Sequence, residues 1–575
     1  MIQPRYCFLQ NLFSDRVFRI PHYQRFYSWR KRQREDLFSD LLKLARQSDD
    51  AEHFMATIVC YRTPETKAVG TTQYRIYDIV DGQQRLTTLI LLLKCIELCM
   101  PLDSEDRIEL ARILVKRDGH LILLQTNNTN ERIFNNFIRE GIYPTKQDLI
   151  THSDFNLSDA IKDCQSFTEK WKETRSVADL MRIILHRLGF VVHDTEDARA
   201  VYTVFEVLNS RGLDVDWLDQ AKSLLMGQAY ELSDSTEAAN AEIISLQGIW
   251  GQLYQEIAKE DIPGHEILRI TTTLYYGAGA GKPRSADDSL RLLRENADTF
   301  SKPRQISELL LNVARKLTSL QTEYPISPVT DILHARLLAV AIMIARGVND
   351  KERESLLDQW ERVTFRIFGL CGKDSRTKVG DYVRLAARIV KEDQNTRTFN
   401  QIMSQIKELG AEYPIEKAID EGLIARDCYE YSTEFCRYLL WLFEEYLAKK
   451  EGSGATVDDK AWIDIRKKRA TDTIEHIFPQ SYEGAPAWQG KMLDEQGNEE
   501  KPELYIGRIG NLLLVPKRLN EEASRKPFKE KKDIYCRHNL RSVRKVCEEE
   551  DWNLEKIKTR ENEIAEWAKQ RWNDI

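Results

Sequence analysis

Thr473-Ile-Glu475-His476-Ile-Phe-Pro479-Gln-Ser481 is followed by Ile509-Gly-Asn511-Leu-Leu-Leu-Val-Pro516, by Leu519-Asn520, and by Pro527-Phe528-Lys529-Glu-Lys531-Lys532. Two short apolar runs precede a polar, lysine-rich helical pattern, and a carboxylate and a histidine stand side by side at the end of the first run. Phosphodiester hydrolysis needs a base to activate water and a divalent cation to hold the phosphate and neutralise the leaving oxygen. His476 suits the base, because an imidazole titrates near neutral pH. Glu475 and Asn520 suit oxygen ligands of a Mg²⁺ or Mn²⁺ ion that keeps most of its waters. Adjacent strand residues face opposite ways, so Glu475 and His476 share one site only where the chain bends, and Pro479 is placed to bend it. Asn511, in the second run, is placed to pin the loop that carries His476. Lys529, Lys531 and Lys532 offer a basic helix face to the DNA backbone, joined by Arg466 and Lys467 further upstream. Each residue also has a plainer use: a satisfied buried histidine, a turn asparagine at Asn511, a helix cap at Asn520.

The ordered set resembles the HNH (ββα-metal) nucleases, in particular a subgroup reading E/D-H-I-x-P-x-S, I-G-N-L, L-N and P-F-x-x-K. The resemblance implies metal-dependent DNA cutting with His476 as general base, Glu475 and Asn520 at the metal, and Asn511 in the same site.

A second stretch, Asp81-Gly82-Gln83-Gln84-Arg85-Leu-Thr87-Thr88, joins a strand pattern (Tyr74 to Val80) to a long apolar helix pattern (Leu89 to Met100). A strand, a glycine turn and a helix N-terminus present free N–H groups and the positive end of the dipole to an anion. Arg85 adds a bidentate phosphate donor, so a triphosphate is the natural ligand. An Asp-Gly pair is also a common turn and Arg85 an ordinary helix residue. Two companions tip the reading: Ile20-Pro-x-Tyr23-Gln24-Arg25-x-Tyr27-x-Trp29, and Phe205-Glu-Val-Leu-Asn209-Ser-Arg-Gly212-Leu213. Together they resemble the ParB/sulfiredoxin-like NTPase domain that begins GmrSD-type modification-dependent restriction enzymes and the phosphorothioate-sensing SspE proteins. The resemblance implies that Asp81, Gly82, Gln83, Gln84 and Arg85 bind and help hydrolyse a nucleoside triphosphate (GTP, UTP, CTP or ATP), with Tyr23, Gln24, Arg25 and Asn209 as neighbours. Where that family has glycine in the strand after the first helix, this chain has Ala56.

Between these stretches the periodicity is helical. Residues 1–225 read as an α+β domain with a helical insertion over about 101–188, residues 226–450 as a helical bundle, 451–457 as a linker and 458–575 as the nuclease domain. The expected fold class is therefore multidomain and mainly α, with an N-terminal ParB/sulfiredoxin-like domain and a C-terminal ββα-metal domain. Ile332 to Ala345 is apolar nearly all round and belongs at the centre of the bundle. Gly277-Ala-Gly-Ala-Gly281-Lys282 imitates a phosphate-binding loop, but Pro283 stands where Ser or Thr must hold Mg²⁺ and no strand pattern precedes it.

Composition narrows the class. The net charge is −7, from 84 basic and 91 acidic residues, so the whole surface does not attract nucleic acid. From Leu504 to Cys547, however, 12 Lys/Arg face 4 Asp/Glu, a confined basic patch. Ten cysteines without a C-x-x-C pair point to a reducing cytoplasm and away from a zinc knuckle. No run of ~18 apolar residues predicts a membrane span. These readings combine into a nucleotide-dependent endonuclease or nickase of bacterial anti-phage defence. Its partner is double-stranded DNA, phage or modified (base-modified or phosphorothioated), and closure on nucleotide moves the helical region to align the cutting site. The alternative is an NTP-regulated DNA-binding switch with an inactive HNH fold. Homo-oligomerisation is left open.

Overall fold

The computed structural model describes residues 4–573 apart from 15, 70–71, 117–120, 127–130, 198–215, 261, 278–280, 324–326, 392–397, 425 and 452–472. The chain packs as two compact units, Met1–Thr272 with Ser285–Thr318, and Thr273–Arg284 with Ser319–Ile575. Helices of the 226–450 stretch are shared out between them. Asn209, Arg466, Lys467 and the 451–457 linker, except residue 451, lie outside the described residues.

The first unit is built on strands β1 (Arg5–Phe8), β2 (Arg16–Ile20), β3 (His53–Val69), β4 (Thr72–Asp81), β7 (Leu124–Thr126) and β8 (Leu188–Thr195). They form one mixed sheet in the order β1-β8-β3-β4-β2-β7. A small separate pair joins β5 (Val115–Lys116) to β6 (Leu121–Ile122). The insertion expected to be helical thus contributes β7 to the main sheet, parallel to β2 with Phe18 opposite Leu124. Without it β2 would present an open edge. Ala56 is buried in β3 beside an irregularity in the β3–β8 ladder.

β4 delivers the turn. Ile76 to Val80 are buried, and Gly82 then takes φ +93° as the residue before the helix Gln83–Cys99. A Cβ at Gly82 would come within 3.1 Å of Ile58 Cγ1 as well as straining the backbone. That helix is buried from Leu86 to Glu97 and packs against the helices His152–Lys172 and Val177–His186, which explains a sequence apolar on all faces.

In the second unit Leu333–Ile344 is buried on every face from His334 to Met343. Gly277-to-Lys282 follows a helix, Gly264–Tyr276, and not a strand. Gly277 and Gly281 have positive φ, as helix-terminating glycines do. The C-terminal part carries β9 (Ile474–His476) and β10 (Leu512–Leu514), paired antiparallel. Helices Lys517–Ala523, Phe528–Tyr535, Arg541–Glu548 and Leu554–Arg571 follow. The last buries Ile557, Ile564 and Trp567 and touches the hairpin closely, since a Cβ on Gly510 would lie 2.1 Å from the Ile557 carbonyl. Among the described residues no helix is long and apolar enough to cross a membrane, and all ten cysteines are unpaired.

Gly82→Ala is expected to destabilise the first unit by about 1–2 kcal/mol through left-handed strain. Urea unfolding followed by circular dichroism measures it, and an unchanged midpoint would contradict the account of the turn.

Candidate active site and nucleotide cradle

β9 and β10 pair with His476 opposite Leu512, Glu475 opposite Leu513 and Ile474 opposite Leu514. The ladder runs through His476 without a bend, so Glu475 and His476 point to opposite faces. Asn511 clasps the chain just beyond: its Oδ1 accepts from the Phe478 N–H (2.8 Å), and its Nδ2 donates to the carbonyls of Phe478 (2.9 Å) and Ile506 (2.9 Å). The Trp552 indole donates to the same Oδ1 at 3.1 Å. Arg560 Nη1 secures the other side of the hairpin, donating to the carbonyls of Ile509, Gly510 and Leu512 at 3.1, 2.9 and 2.7 Å.

Glu475, expected at a metal, is engaged with other side chains of the protein. Its carboxylate is 3% exposed and accepts from Lys531 Nζ (2.7 Å) and the Tyr535 hydroxyl (2.6 Å) through Oε1. Lys531 Nζ also donates to the His476 carbonyl at 2.7 Å. Burial pushes the Glu475 carboxyl up and the Lys531 ammonium down, and their mutual contact opposes both shifts. Asn520 lies inside the helix Lys517–Ala523, which begins after Pro516, so it is not a cap. Its Nδ2 donates to the Ile474 carbonyl at 3.0 Å. Among the described residues no cluster of three or more His, Cys, Asp or Glu is arranged to hold a metal.

His476 faces the other side. It is 7% exposed, and its Nε2 is buried without a hydrogen-bond partner among the described residues. Burial first, then the Lys531 charge, lowers its pKa to about 4, so the imidazole is neutral at physiological pH. A neutral ring with an open nitrogen is the state a general base requires.

The three lysines of the basic helix face differ in their surroundings. Lys531 is buried in its ion pair, and Lys532 donates to the Glu549 carbonyl at 2.8 Å. Lys529 is exposed, while the carbonyls of Arg525 and Lys526 accept from the Trp488 indole at 3.4 and 3.2 Å, leaving their side chains without an ion pair among the described residues.

At the first unit's turn two glutamines lock the Ile20-to-Trp29 segment in place. Gln24 Nε2 donates to the carbonyls of Ile79 (3.3 Å) and Val80 (3.0 Å). Gln84 accepts from the Ser28 N–H (3.0 Å) and donates to the Phe26 carbonyl (3.0 Å). Both amides are therefore held by the protein and not open to a ligand. Gln83 is 6% exposed with Oε1 unpartnered among the described residues. Half-buried Arg85 has neither ion pair nor hydrogen bond among them. Asp81 Oδ1 accepts the Gly82 N–H at 2.8 Å, and burial raises its pKa. Arg25 pairs with Asp219 (3.2 Å) and Asp216 (3.7 Å). Lys222, 1% exposed, donates to Gln24 Oε1 (2.7 Å) and to the buried Tyr23's carbonyl (3.4 Å), and pairs with Asp219, which also accepts from Tyr254.

Asp219, Lys222 and Tyr254 were not foreseen, although a charged i, i+3 pair in an otherwise apolar helix is a readable sign of a buried ion pair. Tyr535, four residues after Lys531 on one helix face, carried the same kind of sign. Tyr429, whose ring lies 4.5 Å from that of His476 at 72°, carried none.

A DNA-cutting enzyme of at least two parts is the class that this arrangement fits, and comparison with known families agrees. The model of the GmrSD restriction endonuclease N-terminal domain matches residues 9–226, and that of the GmrSD C-terminal domain matches residues 413–567. The two cover about two thirds of the chain, which belongs to the GmrSD restriction endonucleases. The C-terminal match begins at residue 413, well ahead of the linker expected at 451. No curated protein matches the chain.

Lys531→Met leaves the Glu475 carboxylate buried and alone, and is expected to cost about 3–5 kcal/mol. Glu475→Leu with Lys531→Met should recover most of that loss. Chemical unfolding of the three proteins checks it: a single variant as stable as the parent would show that the pair is not a scaffold.

Proposed function

We propose that this restriction endonuclease is a nucleotide-dependent HNH nuclease acting on modified DNA, base-modified or phosphorothioated, in the bacterial cytoplasm. The observation that carries the cutting half is His476: neutral, on a strand clasped from both sides, with Nε2 unpartnered among the described residues. Nε2 takes a proton from a water as that water attacks phosphorus and one ester P–O bond breaks, and the resulting imidazolium gives its proton up through solvent, from which the leaving alkoxide oxygen is protonated. Lys531, bonded to the carbonyl of His476, holds the strand at this step, and its charge disfavours the imidazolium, so the proton is passed on readily. Lys529, Arg525 and Lys526 steer the DNA backbone.

Hydrolysis of this kind ordinarily uses Mg²⁺ or Mn²⁺. The ligand pair read from sequence does not fit that ion, because Lys531 and Tyr535 occupy the Glu475 carboxylate, so no step is routed through it. The nucleotide fits better. Arg85 and the first N–H groups of the helix Gln83–Cys99 suit phosphate, and the Gln83 acceptor suits a ribose hydroxyl or a base N–H. Bound there, a nucleoside triphosphate supplies the energy or the signal that licenses cutting.

The occupied Glu475 also favours the alternative, an NTP-regulated DNA-binding switch with an inactive HNH fold. One panel separates the two: plain, glucosylated-hydroxymethylcytosine and phosphorothioated DNA, each with Mg²⁺ or Mn²⁺ and with no nucleotide, ATP, GTP, CTP or UTP. The nuclease reading expects cutting that is lost in His476→Ala by at least about a hundredfold, and a nucleotide effect that is lost in Arg85→Ala. DNA binding without cutting under every condition supports the switch.

A further inference from the structure

The imidazole of His476 makes no hydrogen bond to any described residue, yet it is 7% exposed. General bases are usually oriented by a hydrogen bond to the second ring nitrogen, and among the described residues the oriented contact to this ring is of another kind. The oriented contact present is Tyr429, whose ring meets His476 edge-to-face with centroids 4.5 Å apart and planes at 72°. That is the geometry favoured by aromatic quadrupoles.

Tyr429 is itself fixed. It sits in the short helix Cys428–Tyr431, and the N–H groups of Cys428 and Tyr429 both donate to the Gly507 carbonyl, at 2.8 and 3.2 Å. Asp427 caps the helix by accepting from the Glu430 N–H at 2.7 Å. Its carboxylate lies where a side chain at position 507 would go, since a Cβ there would be 2.0 Å from Asp427 Oδ1. Gly507 belongs to the loop that leads into Asn511, and Asn511 clasps Phe478 two residues after His476. The tyrosine and the histidine are therefore referenced to the same loop. Tyr429 lies within residues 413–567, the C-terminal family match, although its segment reads from sequence as part of the helical bundle.

We propose that Tyr429 is a positioning residue of the cutting site, its ring serving as the wall against which the His476 imidazole is oriented, with Gly507 setting the place of that wall. The proposal rests on His476 as the working base. The ring and not the hydroxyl does the positioning.

The test uses the full chain and nicking of supercoiled plasmid with Mn²⁺, alongside NMR of the protein labelled at the histidine ring Cε1. Tyr429→Ala is expected to lower kcat about tenfold to a hundredfold, as misplacement by about 1 Å does, with KM for DNA changed less than about threefold. Tyr429→Phe should restore kcat to within about threefold of the parent. Gly507→Ala, which leaves the tyrosine in the chain but crowds Asp427, should resemble Tyr429→Ala. In the spectra the His476 resonance, identified by its absence in His476→Ala, should move in the alanine variants and stay in Tyr429→Phe. Cutting by Tyr429→Ala at or above the parent rate would mean that the ring covers the site without orienting it, and would overturn the proposal. So would a phenylalanine variant as slow as alanine, or an unmoved His476 resonance. Undiminished cutting by His476→Ala would instead overturn the base assignment on which the proposal stands. If Tyr429→Ala fails to fold, Tyr429→Leu and Gly507→Ala carry the same comparison.

Discussion

A buried ion pair under strand β9 ties the C-terminal hairpin to the helix that follows it. Glu475 accepts from both Lys531 and Tyr535, and Lys531 reaches on to the His476 carbonyl. Taking a carboxylate and an ammonium out of water is costly, and the attraction between them offsets that cost only with good geometry and further hydrogen bonds. Here both conditions are met, and the result joins β9 to the helix Phe528–Tyr535. Asn511 and Arg560 complete the frame from the remaining sides. His476 is left as the polar group that the frame does not use.

The same division of labour recurs in the first unit. Gln24 and Gln84 lie in the stretches that look most like ligand contacts, yet each closes a hydrogen-bonded clasp onto the other's backbone segment. Arg25 and Lys222 balance Asp216 and Asp219. Gln83 keeps an Oε1 with no hydrogen-bond partner among the described residues. In both places the side chains without partners stand next to side chains that are fully engaged, and a rigid engaged neighbour holds an open group in one position at little entropic cost to the ligand that meets it.

Sequence reading found the main sheet's central strands, the turn at Gly82, the all-round apolar helices and the two C-terminal strands, because periodicity and glycine placement are local signals. It placed β7 in a helical insertion, since three residues carry no period. It did not anticipate that Glu475 and Lys531 meet, because residue type says which charge a side chain has and not which partner it meets. The alternation rule already implied that Glu475 and His476 face apart, and the bend invoked at Pro479 begins only after the ladder has ended. Tyr429 was out of reach for a different reason: it approaches His476 from a segment 47 positions earlier in the chain, and a half-buried tyrosine in a short helix has no signature.

With Lys531 and Glu475 as scaffold and the DNA met elsewhere, the salt dependence of DNA binding separates the two lysines. A lysine that neutralises a phosphate contributes about one unit to the slope of log K against log salt. Binding of one duplex by the parent, by Lys529→Ala and by the Glu475→Leu, Lys531→Met pair would be measured from about 50 to 200 mM salt. The account predicts a slope shallower by about one for Lys529→Ala and unchanged for the pair. A slope reduced in the pair, with Lys529→Ala like the parent, would return Lys531 to the DNA and contradict it.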